Sequence, residues 1–195
     1  MKTKIITLIF MLLFCLTNAF GQKNEFNLIK LDTTWGQEVI RFPARHMDYI
    51  GVGEIRFPPK RGWIKPKHDF FWSYTYAWCI DVNRKIPVKE LEIDLVKYFN
   101  SLNKIDMNAK ADEKYSSAVI SKIKKEKTVT YYKGSVRIFD RFATKNMITL
   151  NVLIESYHCK NNQNTTLLFK FSPKEFTHKT WATLNDIKLL SDLCN

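Results

Sequence analysis

Two histidines stand beside carboxylates at spacings that could support acid–base chemistry. His46 precedes Asp48 by two residues, and His68 directly precedes Asp69. In an extended segment, residues two apart point to the same side, so His46 and Asp48 could form an acid–base pair or supply two metal ligands. This pattern gives one hypothesis, a hydrolase with a histidine and carboxylate site around His46, Asp48 or His68. Histidines near aspartates also occur by chance on surfaces, and catalysis depends on geometry before spacing.

A second polar stretch, residues 58–69, combines cations with a tryptophan. One glycine and three prolines shape its backbone. Such a loop could hold an anion against the indole of Trp63, and this gives a second hypothesis, a binder of acidic polymers. The alternative is a rigid connector whose tryptophan is buried while its lysines are solvated, since tryptophan is usually largely buried. The candidate binding residues are Lys60, Arg61, Trp63, Lys65 and Lys67.

The charge of the whole chain also favours anionic partners. Lysine and arginine number 31 against 19 acidic residues, a formal net charge of +12. Expected partners are an anionic polymer or envelope component, such as lipopolysaccharide, acidic glycans or nucleic acid. The alternative is a solvated basic surface without a specific site. One lysine run is typical of a charged strand edge that blocks aggregation: Lys122, Lys124, Lys125 and Lys127.

Residues 1–21 have the order of a cleavable secretory signal peptide. Lys2 and Lys4 give a charged start, residues 5–16 form an apolar run, and small residues precede the expected cleavage after Gly21. Phe14 before Cys15 does not suit a lipoprotein signal. The sequence therefore predicts a secreted or periplasmic protein of one domain, residues 22–195, without an integral membrane segment. Its oligomeric state stays open.

Three cysteines follow the predicted signal peptide: Cys79, Cys159 and Cys194. In an oxidising compartment they allow one disulfide, and we predict that Cys159 pairs with Cys194 while Cys79 stays buried and reduced. Their wide spacing does not suit zinc. His158 precedes Cys159, but adjacent strand residues point to opposite faces, which disfavours a nucleophilic pair.

The chain lacks the local motifs that name a reaction. It contains no Gly-x-Ser-x-Gly elbow, no glycine-rich phosphate loop and no His-Glu-x-x-His pattern. We therefore expect no metal and no cofactor. A binding or envelope-associated module is favoured over an enzyme.

Hydrophobic periodicity predicts the elements that would position these residues. Residues 70–80 alternate with a period of two, which predicts a strand with one aromatic face of Trp72, Tyr74, Tyr76 and Trp78. Large aromatics dominate cores, so packing against a helix is favoured over a sugar-stacking platform. Residues 87–103 change to helical spacing and begin with a proline suited to a first turn.

The second half of the chain predicts strands again. Residues 147–155 alternate strongly, and the hydrophilic run 160–164 would close a hairpin to residues 165–171. A change of parity places a bulge or tight turn at Gly134. Trp181, Leu184, Ile187 and Leu190 recur every three residues, which predicts a terminal helix. Short connections without crossovers indicate an α+β fold, with a mainly antiparallel sheet, a central amphipathic helix and a C-terminal helix.

Three segments carry a resemblance. Residues 54–59 with Gly62-Trp63, then residues 71–74, then residues 169–174 before the tryptophan-bearing helix together resemble an uncharacterised family of exported bacterial proteins. The same order of elements is similar to the PsbP-like fold. The resemblance implies export and a fold, and it supplies no catalytic residues.

Overall fold

The computed structural model describes residues 26–31, 34–44, 47–108, 110, 112–159 and 161–191. The predicted signal peptide, His46 and Cys194 lie outside these residues. Among the described residues, no helix is both long and apolar enough to cross a membrane.

One antiparallel sheet of seven strands forms the centre of the molecule, which confirms the α+β prediction. From edge to edge its strands are β2 (Gly36–Ala44), β3 (Met47–Phe57), β4 (Tyr74–Ile80), β8 (Asn164–Ser172), β7 (Met147–Cys159), β6 (Val129–Phe139) and β5 (Ser117–Glu126). Each neighbouring pair is antiparallel. Only β4 and β8 join the two halves, because β2–β4 follow one another and β5–β8 form the second meander.

Helix α1 (Val88–Asn103) covers one face of this sheet. Its apolar residues recur at helical spacing, so Leu91, Leu95 and Phe99 lie on one side and are fully buried against the sheet. Pro87 precedes the helix in an extended conformation, and Lys104 ends it in the left-handed region. Tyr76 and Trp78 of β4 are fully buried on this face, so they belong to the core rather than to an open platform.

The opposite face is covered by the two ends of the described chain. The short strands β1 (Ile29–Lys30) and β9 (Lys188–Leu189) pair with each other, and helix α2 (Thr180–Asp186) packs Trp181 and Leu184 beside them. The terminal helix is shorter than its spacing predicts. Ile187 adopts an extended conformation and leads into β9, because pairing with β1 satisfies the backbone there.

The prediction of a bulge or tight turn at Gly134 is wrong. Gly134 continues strand β6 in unbroken register, opposite Ile120 on β5 and Val152 on β7. The irregularity lies on β5, between Lys122 and Lys124. A glycine is required at position 134 because a Cβ there would lie 2.1 Å from the carbonyl oxygen of Val119. Close approach of two strands, rather than an extra residue, explains this glycine.

The connecting loops lie at the two ends of the sheet. The end that we call the loop end carries the β3–β4 connection (58–73), the β6–β7 connection (140–146) and the C-terminus of α1. The other, the hairpin end, carries the β5–β6 turn, the β7–β8 turn and the segment between β4 and α1.

Candidate functional site

The β3–β4 connection is a compact, internally bonded loop. It contains a short 3-10 segment (Pro59–Ile64), interrupted at Lys60 and Arg61, whose φ angles are 57° and 54°. Non-glycine residues rarely adopt this left-handed region. The backbone N–H of Trp72 donates to the carbonyl oxygen of Trp63 at 2.8 Å, which closes the loop on itself. The loop therefore holds its tryptophan in a fixed position.

His68 stabilises this loop from inside. A Cβ on Gly62 would lie 2.6 Å from the imidazole, so the ring packs directly on the glycine. The Nδ1 atom of His68 accepts a hydrogen bond from the backbone N–H of Phe70 at 3.1 Å. Asp69 pairs instead with Lys179 at 2.7 Å. These contacts give His68 a structural role.

Trp63 forms one wall of an aromatic cavity at the loop end. The cavity has a volume of about 270 Å³. Trp63 is half-buried, and its ring centroid lies 5.1 Å from that of Phe57, 6.4 Å from Trp72 and 5.8 Å from Phe142. The full lining is Glu38, Ile55, Phe57, Trp63, Trp72, Tyr74, Tyr98, Leu102 and Phe142. Six of these nine side chains are aromatic, so the cavity presents mostly ring faces and edges.

Trp72, another lining residue of this cavity, is in an unusual state. It is 1% exposed, and its φ angle of 47° lies in the left-handed region, where a bulky side chain is strained. Among the described residues, its indole N–H has no hydrogen-bond acceptor. A buried donor without an acceptor costs about 1–3 kcal/mol. The indole N–H of Trp78, in the core and outside the cavity, also lacks an acceptor, so it is the φ angle that sets Trp72 apart.

Asp140 positions the outer wall of the cavity. Its carboxylate accepts hydrogen bonds from the backbone N–H groups of Phe142 (2.9 Å), Ala143 (3.1 Å) and Thr144 (2.7 Å), and from the hydroxyl of Thr144 (2.8 Å). Burial would raise the pKa of Asp140, but these hydrogen bonds outweigh burial and hold the pKa below its usual range. The β6–β7 connection is therefore fixed, and it presents Phe142, which is 42% exposed, at the rim.

The predicted cations are sequence neighbours of Trp63 and are not part of the cavity lining. Lys60 and Arg61 precede Trp63, Lys65 and Lys67 follow it, and all four are exposed. The lining includes one carboxylate, that of Glu38 on β2. The site thus joins an aromatic interior to a basic loop at its border.

The histidine and carboxylate hypothesis finds less support in the geometry. His46 lies outside the described residues. Asp48 is at the hairpin end, where it pairs with Lys97 at 3.2 Å, whereas His68 is at the loop end. The structure therefore does not bring Asp48 and His68 together.

Two other titratable clusters join elements of the fold. The hydroxyl oxygen of Tyr49 lies within hydrogen-bond distance of a carboxylate oxygen of Asp94 (2.5 Å) and of one of Glu90 (2.8 Å), which links β3 to α1. Burial raises the pKa of Asp94, and burial together with these hydrogen bonds raises the pKa of Tyr49. On the other face, Lys170 pairs with Glu155 at 2.7 Å, and burial lowers the pKa of Lys170. Neither cluster borders the aromatic cavity, whose lining includes none of their residues.

The thiols follow part of the predicted pattern. Cys159 is disulfide-bonded. Cys79 is free, but it is half-buried rather than buried, and this partial burial raises the pKa of its thiol. Since Cys194 lies outside the described residues, its pairing with Cys159 stays a prediction. Among the described residues, no cluster of three or more histidine, cysteine or acidic side chains could hold a metal.

Comparison with known proteins gives no relative: no family model, curated protein or solved structure matches the chain. The resemblances to an exported bacterial family and to the PsbP-like fold therefore stay predictions. The function must come from the geometry of the site.

Sequence analysis singled out Trp63, together with Trp72 and Tyr74 of the aromatic strand face, but it missed the other residues of the cavity lining. Glu38, Tyr98 and Phe142 come from β2, α1 and the β6–β7 connection, which are far apart in sequence. One local signal was present, because Asp140 followed by Thr144 is typical of a side chain that caps a turn. This spacing indicates an ordered loop, but it does not indicate which residues the loop contacts.

Proposed function

We propose that this chain is an exported small-molecule binding module, which takes an apolar ring system carrying an anionic group. One observation carries the proposal: Trp63 is at once a wall of the aromatic cavity and the centre of the exposed basic loop. A ligand bound in the cavity would contact Trp63 and would therefore lie beside this loop. The apolar part of the ligand would pack inside, and its charge would face the lysines.

The walls favour a small ring system. At about 270 Å³ the cavity lies near the lower end of the range for ligand pockets, roughly 300–1,000 Å³. Ring pairs in edge-to-face or offset contact contribute about 0.5–1.5 kcal/mol beyond the area that they bury. Several such contacts are available to one ligand between Trp63, Trp72 and Phe142. A ligand with a long aliphatic chain would fit this volume less well.

The buried indole nitrogen of Trp72 favours a ligand that carries a hydrogen-bond acceptor. The indole N–H of Trp72 is fully buried, so a shift of the neighbouring rings on ligand entry would have to expose it. It would then donate to a ligand oxygen, which would remove the penalty of its unpaired state. At the border, Lys60, Arg61, Lys65 and Lys67 favour negative charge. Glu38 opposes an anion on the β2 side, so the anionic group is expected on the loop side.

Calorimetric titration with three naphthalene derivatives tests this proposal. They share one ring system and differ in head group: 2-naphthalenesulfonate, 2-naphthalenemethanol and 2-naphthylmethyl-trimethylammonium. We expect the affinities to fall in that order. Trp63→Ala should weaken binding of all three at least tenfold, because it removes a wall. Replacing the four loop cations by glutamine should weaken the sulfonate and leave the alcohol within twofold.

A variant with the same loss of charge elsewhere is the control. Lys30, Lys122, Lys124 and Lys133 are exposed and lie outside the lining, so replacing them by glutamine should leave all three affinities within twofold. Strongest binding of the ammonium compound would contradict the anionic head group and assign the cavity to a cation held by aromatic faces and Glu38. Heparin binding that needs the loop cations, without binding of any naphthalene, would support the acidic-polymer alternative instead.

A further inference from the structure

One face of strands β5, β6 and β7, the face that points away from α1, is open. Side chains alternate along a strand, and the even-numbered Val136 and Ile138 of β6 are buried on the α1 side, so the odd-numbered residues of β6 lie on the other face. Lys133 and Arg137 are exposed there. Val119, which the register of β5 and β6 places on the same face, is 66% exposed. The elements that cover the rest of this face therefore leave these residues accessible.

Three lysines at this face each lie over an aromatic ring. The distance from the ammonium nitrogen to the ring centroid is 4.9 Å for Lys124 and Tyr131, 4.0 Å for Lys133 and Phe176, and 5.0 Å for Lys114 and Phe139. A cation within about 6 Å of a ring centroid is attracted to the ring. Two of the rings, Tyr131 and Phe139, are themselves odd-numbered residues of β6. The rings therefore hold three cations close to the open face.

These lysines and Arg137 follow the direction of β6, and we call the four residues, Lys114, Lys124, Lys133 and Arg137, the cation row. Tyr131 and Phe139, which mark its two ends, are eight positions apart on a strand whose register with β7 is unbroken. This separation corresponds to about 27 Å along an antiparallel strand. The row is therefore far longer than a single phosphate or sulfate group.

The acidic side chains on this face of β5 and β7 already have partners. Glu126 pairs with Lys124 at 2.6 Å, and Glu155 pairs with the buried Lys170 at 2.7 Å. Among the described residues, neither Lys133 nor Arg137 forms an ion pair. These two cations are therefore available to an external anion.

The two flanking loops each carry an acidic residue next to the cation row. Glu113 precedes Lys114, and Glu175 precedes Phe176. They reduce the attraction of the row's ends for an anion more than that of its middle. The proposal below therefore depends on Lys133 and Arg137.

The surroundings of the row favour a polysaccharide over nucleic acid. Ser121, Ser135 and Thr149 lie on the same face, and their small hydroxyl side chains can form hydrogen bonds with sugar hydroxyls. Single-stranded nucleic acid instead binds by stacking its bases on aromatic rings. Each ring here has a lysine over it, and Phe176 also packs against Trp181, with centroids 4.6 Å apart. The rings therefore position cations and offer little room for bases.

We propose that this face binds an extended acidic polysaccharide along the cation row. Lys133 would contact an anionic group as a point charge, and the guanidinium of Arg137 can donate two parallel hydrogen bonds to one sulfate or carboxylate. The aromatic cavity lies on the other side of the sheet, where α1 supplies Tyr98 and Leu102 to its lining. The two sites are therefore independent, and failure of this proposal would leave the proposed ring-binding function untouched.

Fluorescence anisotropy with a labelled heparin dodecasaccharide tests the face at about 0.15 M salt, where exposed charges more than about 8 Å apart are largely screened. The face variant replaces Lys133 and Arg137 by glutamine. Its matched control, Lys122→Gln with Lys125→Gln, removes the same charge from exposed positions that the register places on the α1 side. We expect the face variant to lose at least tenfold in affinity and the control less than threefold. Both variants should unfold at the temperature of the wild type, because all four side chains are exposed.

Further probes define the partner. A heparin disaccharide is too short to span the row and should bind at least tenfold more weakly than the dodecasaccharide. An oligogalacturonate of the same length, which carries carboxylates alone, should bind with the same dependence on Lys133 and Arg137 if carboxylates suffice. Binding of heparin alone would assign the face to sulfate groups. Affinity of the face variant for 2-naphthalenesulfonate should equal that of the wild type, which separates this test from that of the aromatic cavity.

Three results would overturn the proposal. Equal losses in the face variant and the control would indicate general attraction to a basic surface. Tighter binding of an oligothymidylate of twelve nucleotides than of the heparin dodecasaccharide would assign the face to nucleic acid. Absence of binding by heparin and by oligogalacturonate would leave the cation row as a solvated surface.

Discussion

At the scale of single residues, three side chains decide the character of the proposed ring-binding site. Trp63 separates an aromatic interior from a basic border, Trp72 supplies a buried donor without an acceptor, and Asp140 fixes the loop that carries Phe142. The first two would contact a ligand directly. Asp140 acts through Phe142 and is therefore a positioning residue. Its effect can be separated from that of the walls by its dependence on pH.

Asp140→Asn should weaken both the loop and the site. The carboxylate accepts four hydrogen bonds, and the amide can accept fewer, so we expect a loss of about 1–3 kcal/mol in the free energy of unfolding. Because the pKa of Asp140 is held below 3.8, its contribution is present above that pH and is lost as the pH falls through the folded-state pKa.

Urea unfolding between pH 7 and pH 2 measures this effect. The difference between wild type and Asp140→Asn should shrink at the acidic end. A constant difference across the range would show that the carboxylate charge is not what holds the loop. Affinity for 2-naphthalenesulfonate should fall at pH 7, with Asp106→Asn, whose carboxylate accepts a backbone hydrogen bond outside the cavity, as the unaffected control.

The contribution of Asp94 to stability should have the opposite pH dependence. Burial raises the pKa of Asp94, so the folded state binds its proton more tightly than the unfolded state does. Stability should therefore fall as the pH rises from about 3.8 through the folded-state pKa. Asp94→Asn can still accept the hydrogen bond of Tyr49 and should remove this decline. Equal pH profiles for wild type and variant in urea unfolding would contradict the assignment.

At the scale of elements, close approach between strands controls the packing of β5 and β6. Ile120 lies opposite Gly134, and its backbone N–H is also bonded to Glu92 of α1 at 3.0 Å. The edge strand is thus joined to the sheet on one side and to the helix on the other. The glycine allows this arrangement because it has no side chain.

Gly134→Ala should destabilise the protein by about 1–3 kcal/mol, the usual cost of overpacking. A Cβ at this position would lie 2.1 Å from a backbone oxygen, which a rotamer change cannot relieve. Gly36→Ala is the matched control, since its nearest neighbour would be 3.8 Å away. The control should change stability by about 0.5 kcal/mol or less. Urea unfolding compares the two, and equal stabilities would refute the proposed close packing.

At the scale of the whole molecule, local patterns predicted the elements better than the site. The alternation in residues 147–155 and the polar run 160–164 correspond to β7 and its hairpin with β8. The shifted parity at Gly134 misled, because Val129 and Tyr131 lie on the opposite face of β6 from the buried Tyr132, Val136 and Ile138. The wall formed by Phe142 could not be predicted, since it depends on how two distant loops meet.

The nuclear magnetic resonance signals of the tryptophan indole N–H groups test the central claim most directly. On addition of 2-naphthalenesulfonate, the Trp72 signal should move downfield as its N–H gains an acceptor, and Trp63 should shift through ring currents. Trp181 already donates to the carbonyl oxygen of Lys174 at 2.9 Å, and Trp78 is buried in the core, so both should stay unchanged. Single Trp→Phe variants assign the signals. Unchanged Trp63 and Trp72 signals at saturating ligand would contradict the proposed binding site.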